Sequence, residues 1–197
     1  MDILVTLDEG YLMQLRVMLT SLYLNHPNEL CRVYLLHSRI PDVRLRELGK
    51  GLRALGCELH PVRVDSRLFE KAPVTKQYPQ EMYYRLLAAR LLPEDLERVL
   101  YLDPDVLIIN SLKPLWELEM GDFLFAAASH TGKTEIANSV NRLRLGTDRN
   151  YYNSGVLPSG NCSGGCFPFC GGSRCRTGAA GPGCSQRYVR VKDSGNR

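Results

Sequence analysis

No apolar run in this sequence approaches the roughly 20 residues that a membrane span requires. The opening, Met1-Asp2-Ile3-Leu4-Val5, has no basic stretch ahead of its apolar one, so a secretory signal peptide is not expected and a cytoplasmic location is. No internal repeat is present. Acidic residues are nearly missing from the last forty positions: residues 158–197 hold 6 of the 25 Lys/Arg but 1 of the 21 Asp/Glu. The formal net charge of +4 therefore belongs to this tail, and residues 1–157 carry −1. That excludes a broad basic surface on the folded part, so no nucleic-acid partner is expected. The tail also has no His and no Cys-x-x-Cys pair, although it holds five of the seven cysteines: Cys162, Cys166, Cys170, Cys175 and Cys184. That is a poor zinc ligand set. Disulfides would need an oxidising compartment, for which nothing marks the chain.

At 44% hydrophobic and 23% charged residues, the composition is that of a globular protein. Its 197 residues fit one domain, or one domain with an appendage. Ile3 to Leu7 reads as a buried parallel strand. Tyr11, Leu12, Leu15, Met18, Leu19 and Leu22 then fall on one helical face. Val33 to Leu36 is a second strand. Pro41-Asp42 opens a second helix with Leu45, Leu48, Leu52 and Leu55 inward, and Gly56 stops it. Leu59 to Val64 is a third strand. Residues 80–92 read as helical with Tyr83, Leu86, Leu87 and Leu91 inward, and Val99 to Leu102 is a fourth strand. A short helix or turn over 112–119, a strand over Phe123 to Ala128, a helix over 131–145 with Ile136, Val140 and Leu143 on one face, and a strand over Tyr151 to Leu157 complete the pattern. Strands alternating with helices imply a three-layer α/β fold with a largely parallel sheet.

Beyond Leu157 this pattern fails. Pro158-Ser159-Gly160 interrupts the strand just begun, and Gly, Cys, Arg, Pro and Ser dominate the remaining residues. The division expected is a domain over 1–157 and a Cys/Gly-rich basic tail over 158–197. That tail packs no core and is disordered, or is translated out of frame.

Asp103-Pro104-Asp105 carries the most chemistry. Alternate residues of an extended chain point the same way, so two carboxylates at i and i+2 can converge on one hard cation. Pro104 has no amide to give the sheet, so the chain leaves the ladder there. The pair then sits at the carboxyl end of a buried strand, where open α/β sheets place their ligands. A divalent ion held so could neutralise a pyrophosphate leaving group. The pattern is short, and a solvated acidic turn is the alternative. Thr6-Leu7-Asp8 leads from strand to helix, where a carboxylate can hold a base or ribose, or Asp8 can simply cap the helix. Arg85, after Tyr83-Tyr84, can clamp a phosphate or pair with Glu81 or Glu94. Asn153, Ser154 and Gly155 can read a sugar's hydroxyls at close backbone approach, or mark a bulge. His130 is a lone histidine after an apolar strand, and Cys31 and Cys57 read as buried thiols.

In order and spacing these segments resemble glycosyltransferase family eight, which includes bacterial lipopolysaccharide galactosyl- and glucosyltransferases and glycogenin. The resemblance covers about residues 1–157. It rests on Ile3 to Asp8, Tyr83-Tyr84-Arg85-Leu86, Arg98 to Leu107 with its Tyr-Leu-Asp-Pro-Asp-Val-Leu, Leu112-Lys113-Pro114-Leu115-Trp116, and Tyr152-Asn153-Ser154-Gly155-Val156-Leu157.

The resemblance implies a GT-A-type nucleotide-sugar-binding fold, Rossmann-like and truncated at its C-terminus. It implies a UDP-glucose or UDP-galactose donor, Mn2+ (or Mg2+), retention of anomeric configuration, and a saccharide or lipopolysaccharide-type acceptor. On that basis Asp103 and Asp105 look like the metal pair, with Asp103 also toward ribose and Asp105 toward diphosphate. Thr6 and Asp8 match the uridine-contacting opening, Arg85 the donor-binding arginine, and Asn153, Ser154 and Gly155 the stretch lining the donor sugar.

The sequence departs from the family at two places. Many members are acidic where this chain has His130. The family's later Asp-Gln-Asp-type segment and its His-x-x-Gly-x-x-Lys-Pro segment, which complete the site near the reacting carbon and around the metal, have no counterpart in residues 158–197. The catalytic residue therefore stays unassigned. In full-length relatives the resemblance implies front-face attack, in which stabilising the departing UDP matters most. A UDP-sugar- or metal-binding fragment without transferase activity is the alternative, and a nucleotidyltransferase a further one.

Overall fold

The structure is a computed structural model that describes residues 1–75, 79–120, 125–129, 139, 140, 143, 152–156 and 188–191. Strand β1 (Asp2–Thr6) leads through a single 3-10 turn, Glu9–Tyr11, into helix α1 (Leu12–Asn25). Strand β2 (Cys31–His37), helix α2 (Asp42–Arg53) and strand β3 (Cys57–Arg63) come next. A 3-10 stretch over Gln80–Leu87 runs directly into the one-turn helix α3 (Ala88–Leu91). Strand β4 is the short Leu100–Tyr101, and helix α4 is Lys113–Trp116.

These four strands form one parallel sheet in the order β3-β2-β1-β4. Because side chains alternate along a strand, each strand feeds two cores. Ile3, Val5, Val33 and Leu35 face α1 and α2, and pack with Leu15, Met18, Leu19, Leu45, Leu48 and Leu52. Leu4, Tyr34 and Leu36 face the other way, onto Tyr84, Ala88, Leu92 and Leu96. With both faces covered, all five residues of β1 are buried, as a continuous apolar run requires. The expected three-layer α/β architecture with a parallel sheet is therefore present.

From β1 the chain adds β2 and then β3 on one side, and returns to place β4 on the other. The strand order thus reverses between β1 and β4. In open α/β sheets the crevice at such a reversal, outside the carboxyl ends of the strands, is where ligands bind.

A second sheet has the order β6-β5-β7, with β5 (Phe125–Ser129) antiparallel to β6 (Tyr152–Val156) and parallel to β7 (Tyr188–Val191). Strand β6 is a neighbour of β4, so this sheet abuts the β4 edge of the first. Strand β7 comes from the Cys/Gly-rich tail. The rest of residues 158–197, including the five tail cysteines, lies outside the described residues, as do His130 and most of the helix expected over 131–145. Of that helix Val140 and Leu143 are described, both exposed.

Two details differ from the expected elements. Residues 80–87 wind as a 3-10 helix rather than an α-helix, and the inward residues are Tyr84, Ala88 and Leu92 instead of Tyr83 and Leu86. Tyr83 instead stacks on Phe69, ring centroids 5.7 Å apart, and donates its hydroxyl to the Pro73 carbonyl at 2.7 Å. Gly56 behaves as expected. It stands at φ +65° just past α2, and a Cβ there would meet the Glu29 carbonyl oxygen at 3.2 Å.

Candidate functional site

Strand β1 delivers Thr6 to the crevice, where it is buried. Two residues on, Asp8 caps the 3-10 turn: its Oδ1 accepts from the Gly10 amide at 2.8 Å. Capping was one of the two roles open to this residue. It occupies one carboxylate oxygen, and the side chain remains solvent-exposed.

Strand β4 delivers Tyr101 and Asp103. The two residues alternate past Leu102 and fall on the same side of the chain. The buried Tyr101 hydroxyl donates to Asp103 Oδ1 at 2.8 Å. With that proton committed, the Thr6 hydroxyl is the donor across the 3.4 Å to the Tyr101 oxygen. Burial, opposed by the nearby Arg85 charge, pushes the Tyr101 phenol well above the ordinary tyrosine range, so it remains a donor at neutral pH.

The 3-10 stretch delivers Arg85 to the same phenol. Its guanidinium carbon lies 4.7 Å from the Tyr101 ring centroid, within cation–π range, and its Nε donates to the Met82 carbonyl at 2.8 Å.

Asp103-Pro104-Asp105 is not the extended pair expected from alternation. The Val106 amide returns to the Asp103 carbonyl at 3.3 Å and closes a turn with Pro104 at its second position. Proline's fixed φ suits that position, and the turn replaces the sheet ladder where Pro104 has no amide to offer. Asp103 is half-buried and Asp105 is exposed.

The segment after this turn is pinned to the end of α1. Ser21 Oγ accepts from the Ile108 amide at 2.9 Å, Asn25 Nδ2 donates to the Ile108 carbonyl at 2.9 Å, and His26 Nε2 accepts from the Leu112 amide at 2.8 Å. Sequence reading did not single out Tyr101, Ser21, Asn25 or His26. For Tyr101 a signal existed, because it stands two residues before Asp103, at the end of the strand that leads into the turn. For the other three none did, since their partners are backbone groups more than eighty residues away.

Asn153, Ser154 and Gly155 lie on β6, beside β4, at the stretch where the β5–β6 register shifts between Ala126 and Ala128. The structure thus links Thr6, Arg85 and Asp103 through one phenol. It sets Asp8 and Asp105 at the same strand ends without a direct contact, and brings the backbone of residues 153–155 alongside.

Two aspartates form a hard-oxygen donor set that suits Mg2+ or Mn2+, ions that retain several waters beside one or two carboxylates. The Tyr101 bond engages one oxygen of Asp103, and Asp105 faces solvent. Among the described residues, no cluster of three or more His, Cys, Asp or Glu side chains is poised for a metal. In donor chemistry alone, Asp103 and Asp105 suit a cation that keeps most of its own waters.

A parallel α/β sheet with a carboxylate pair at its reversal point is a ligand-binding type of α/β fold. Comparison with known proteins makes this specific. The chain belongs to the family described as Glycosyl transferase family 8, whose pattern matches residues 2–158. It is 26% identical over 159 residues to General stress protein A of Bacillus subtilis, covering 80% of this chain and 54% of that one. It is 27% identical over 154 residues to the lipopolysaccharide 1,2-glucosyltransferase of Escherichia coli K12, covering 76% and 44%. Among solved structures, the galactosyltransferase LgtC in complex with donor and acceptor sugar analogs superposes with a TM-score of 0.70 at 28% identity, covering 80% of this chain and 56% of that one. The fold is GT-A. The chain spans about half the length of the relatives it matches.

Proposed function

We propose that this chain carries the donor-binding half of a hexosyltransferase that takes glucose or galactose from a UDP-sugar. One observation carries the reading: Asp103 and Asp105 stand at the carboxyl end of β4, against Thr6 and Asp8 at the end of β1, where the strand order reverses. Family membership and the likeness to LgtC support it.

In this reading Asp8 and Thr6 receive the uridine. Arg85 faces the diphosphate, and Asn153 to Gly155 line the sugar. Asp103 and Asp105 hold Mn2+ or Mg2+, which when bound neutralises the diphosphate's charge as it departs. The chain's own part is electrostatic and positional. Arg85, already oriented by Tyr101, offers a fixed positive charge to the leaving group, the stabilisation a retaining transfer needs most. The acceptor is a saccharide, and a lipopolysaccharide-type acceptor is supported by the names of relatives such as the 1,2-glucosyltransferase. Among the described residues no helix is long and apolar enough to cross a membrane, and a cytoplasmic location is part of the same proposal.

Calorimetry with UDP in the presence and absence of Mn2+ tests this reading. Wild type takes up UDP more tightly with Mn2+, and Asp105→Ala loses that enhancement. Binding of neither UDP nor Mn2+ by wild type, or an Asp105→Ala variant indistinguishable from it, overturns the proposal. Turnover of labelled UDP-glucose or UDP-galactose separates a transferase from a binding module, which would saturate without releasing UDP.

A further inference from the structure

The donor-binding reading gives Tyr101 no contact with a ligand, yet three candidate site residues meet on it. Its hydroxyl donates to Asp103 Oδ1 at 2.8 Å and lies 3.4 Å from Thr6 Oγ1, and its ring lies under the Arg85 guanidinium at 4.7 Å. The side chain is 1% exposed and sits on the strand that pairs with β1, Leu4 opposite Tyr101.

We propose that Tyr101 is a positioning residue that holds the Asp103 carboxylate and the Arg85 guanidinium in one fixed arrangement at the end of β1. The function it serves rests on the UDP-sugar reading, whereas the arrangement itself can be measured without any ligand.

The two groups bear opposite charges and belong to separate segments, one on the turn after β4 and one on a 3-10 stretch. Left to themselves they would draw into a direct ion pair, and each would neutralise the charge the other must present to a ligand. The phenol separates these tasks. Its edge oxygen takes up one carboxylate oxygen of Asp103, which leaves the other for a cation or a ribose hydroxyl. Its π face takes up the guanidinium through the ring quadrupole, while the Arg85 Nε donates to the Met82 carbonyl, so the plane of the group is set from two sides. A hydrogen bond to a charged acceptor and a cation–π contact at a partly desolvated site are each large enough to set a rotamer. Groups held this way keep their orientation when a ligand arrives, so the ordering cost falls in folding and not in binding. Thr6, at the end of β1, lies 3.4 Å from the same phenol oxygen.

The experiment uses the full chain and two variants that divide the roles. Tyr101→Phe keeps the ring and removes the hydroxyl, and Tyr101→Leu removes both. Without ligand, NMR reads the arrangement. The Arg85 side-chain protons are shifted upfield by the ring in wild type and in Tyr101→Phe, and lose that shift in Tyr101→Leu. The Tyr101 hydroxyl proton is protected and downfield in wild type, and loses both properties in Asp103→Ala. With UDP, Tyr101→Phe weakens the Mn2+-dependent part of binding about tenfold, the loss expected for one hydrogen bond to a charged group, and weakens binding in chelator by less. Tyr101→Leu weakens both parts.

Arg85 signals that are the same in Tyr101→Leu as in wild type overturn the proposal. So does a Tyr101→Phe chain with wild-type Mn2+ dependence. A merely structural tyrosine would give the third pattern, in which both parts of UDP binding fall together in step with melting temperature, and that also overturns it. Should wild type bind neither UDP nor Mn2+, the donor reading fails, and the two ligand-free NMR signals decide the positioning claim by themselves.

Discussion

The backbone amide of Leu112 donates to Nε2 of His26 across 2.8 Å, tying the loop beyond the aspartate pair to the last turn of α1. The other ring nitrogen faces the Leu22 carbonyl oxygen at 3.2 Å, so the ring is the neutral tautomer with its proton on Nδ1. Ser21 holds Ile108 in the same way, four residues nearer the site, and donates its own proton to the Met18 carbonyl at 2.6 Å. His26→Ala and Ser21→Ala each leave a backbone amide without its acceptor, which costs about 1–3 kcal/mol when the group stays dry. The expected outcome is a lower melting temperature for both variants. Amide exchange at Ile108 and Leu112 should quicken more than exchange at Leu4 or Leu35 in the sheet. Equal acceleration throughout would mean global weakening and would sink the idea of a local clamp.

The layered sheet was legible in the sequence because its inner strands are buried on both faces. Ile3 to Leu7 and Val33 to Leu36 are dense in branched aliphatic residues for that reason, whereas the edge strand β3 mixes apolar with polar residues and is mostly half-buried or exposed. The helix stripe of Leu45, Leu48 and Leu52 was legible because a single wet face forces a 3.6-residue period, and these three are the buried residues of α2. The winding of residues 80–87 was not legible. Several apolar faces are open to a segment with Tyr83, Tyr84, Leu86 and Leu87, and the choice of Tyr84 is made by the pocket against Leu4 and Tyr34. At the site, residue types announced Asp103 and Asp105. The turn that Pro104 closes, and the phenol that gathers Thr6, Arg85 and Asp103, depend on strand pairing between segments almost a hundred residues apart.

His37 makes stability depend on pH. It ends β2 at 2% exposure, and its Nδ1 has no hydrogen-bond partner among the described residues. Burial chiefly, and the Arg63 charge next, lower its pKa below the ordinary histidine value, while Asp42 pulls the other way. The folded chain therefore resists a proton that the unfolded chain accepts near pH 6.5. This contribution to stability is complete above the unfolded value and is lost as pH falls through the folded one. Chemical denaturation at a series of pH values should show stability falling below about pH 6.5, with a slope from this residue of at most about 1.4 kcal/mol per pH unit. His37→Leu should flatten that slope. An unchanged slope in the variant would assign the effect to other groups.

Cys31 and Cys57 set acidity against access. They stand opposite each other in the parallel register of β2 and β3, both free thiols and both 3% exposed. The Cys31 thiol is lowered to about 7, first by a hydrogen bond from Cys57 and then by the N-terminal ammonium, with burial opposing. The same pairing, with burial, pushes Cys57 up. While Cys31 keeps its proton, the Cys57 thiol faces the Leu55 carbonyl oxygen at 3.5 Å; when Cys31 ionises, that S–H can turn to the thiolate. At pH 8 acidity alone would make Cys31 the faster of the two to alkylate. Access decides otherwise, because a reagent reaches neither sulfur until the strand pair opens. Peptide mapping after maleimide treatment of the native chain should show both residues protected, on the order of a hundredfold or more relative to the denatured chain. As denaturant loosens the sheet, their labelling should rise in step with amide exchange at Val33 and Leu35. Rapid native labelling of Cys31, abolished by Cys57→Ser, would show that the thiolate is reachable and that its acidity, not its burial, governs its chemistry.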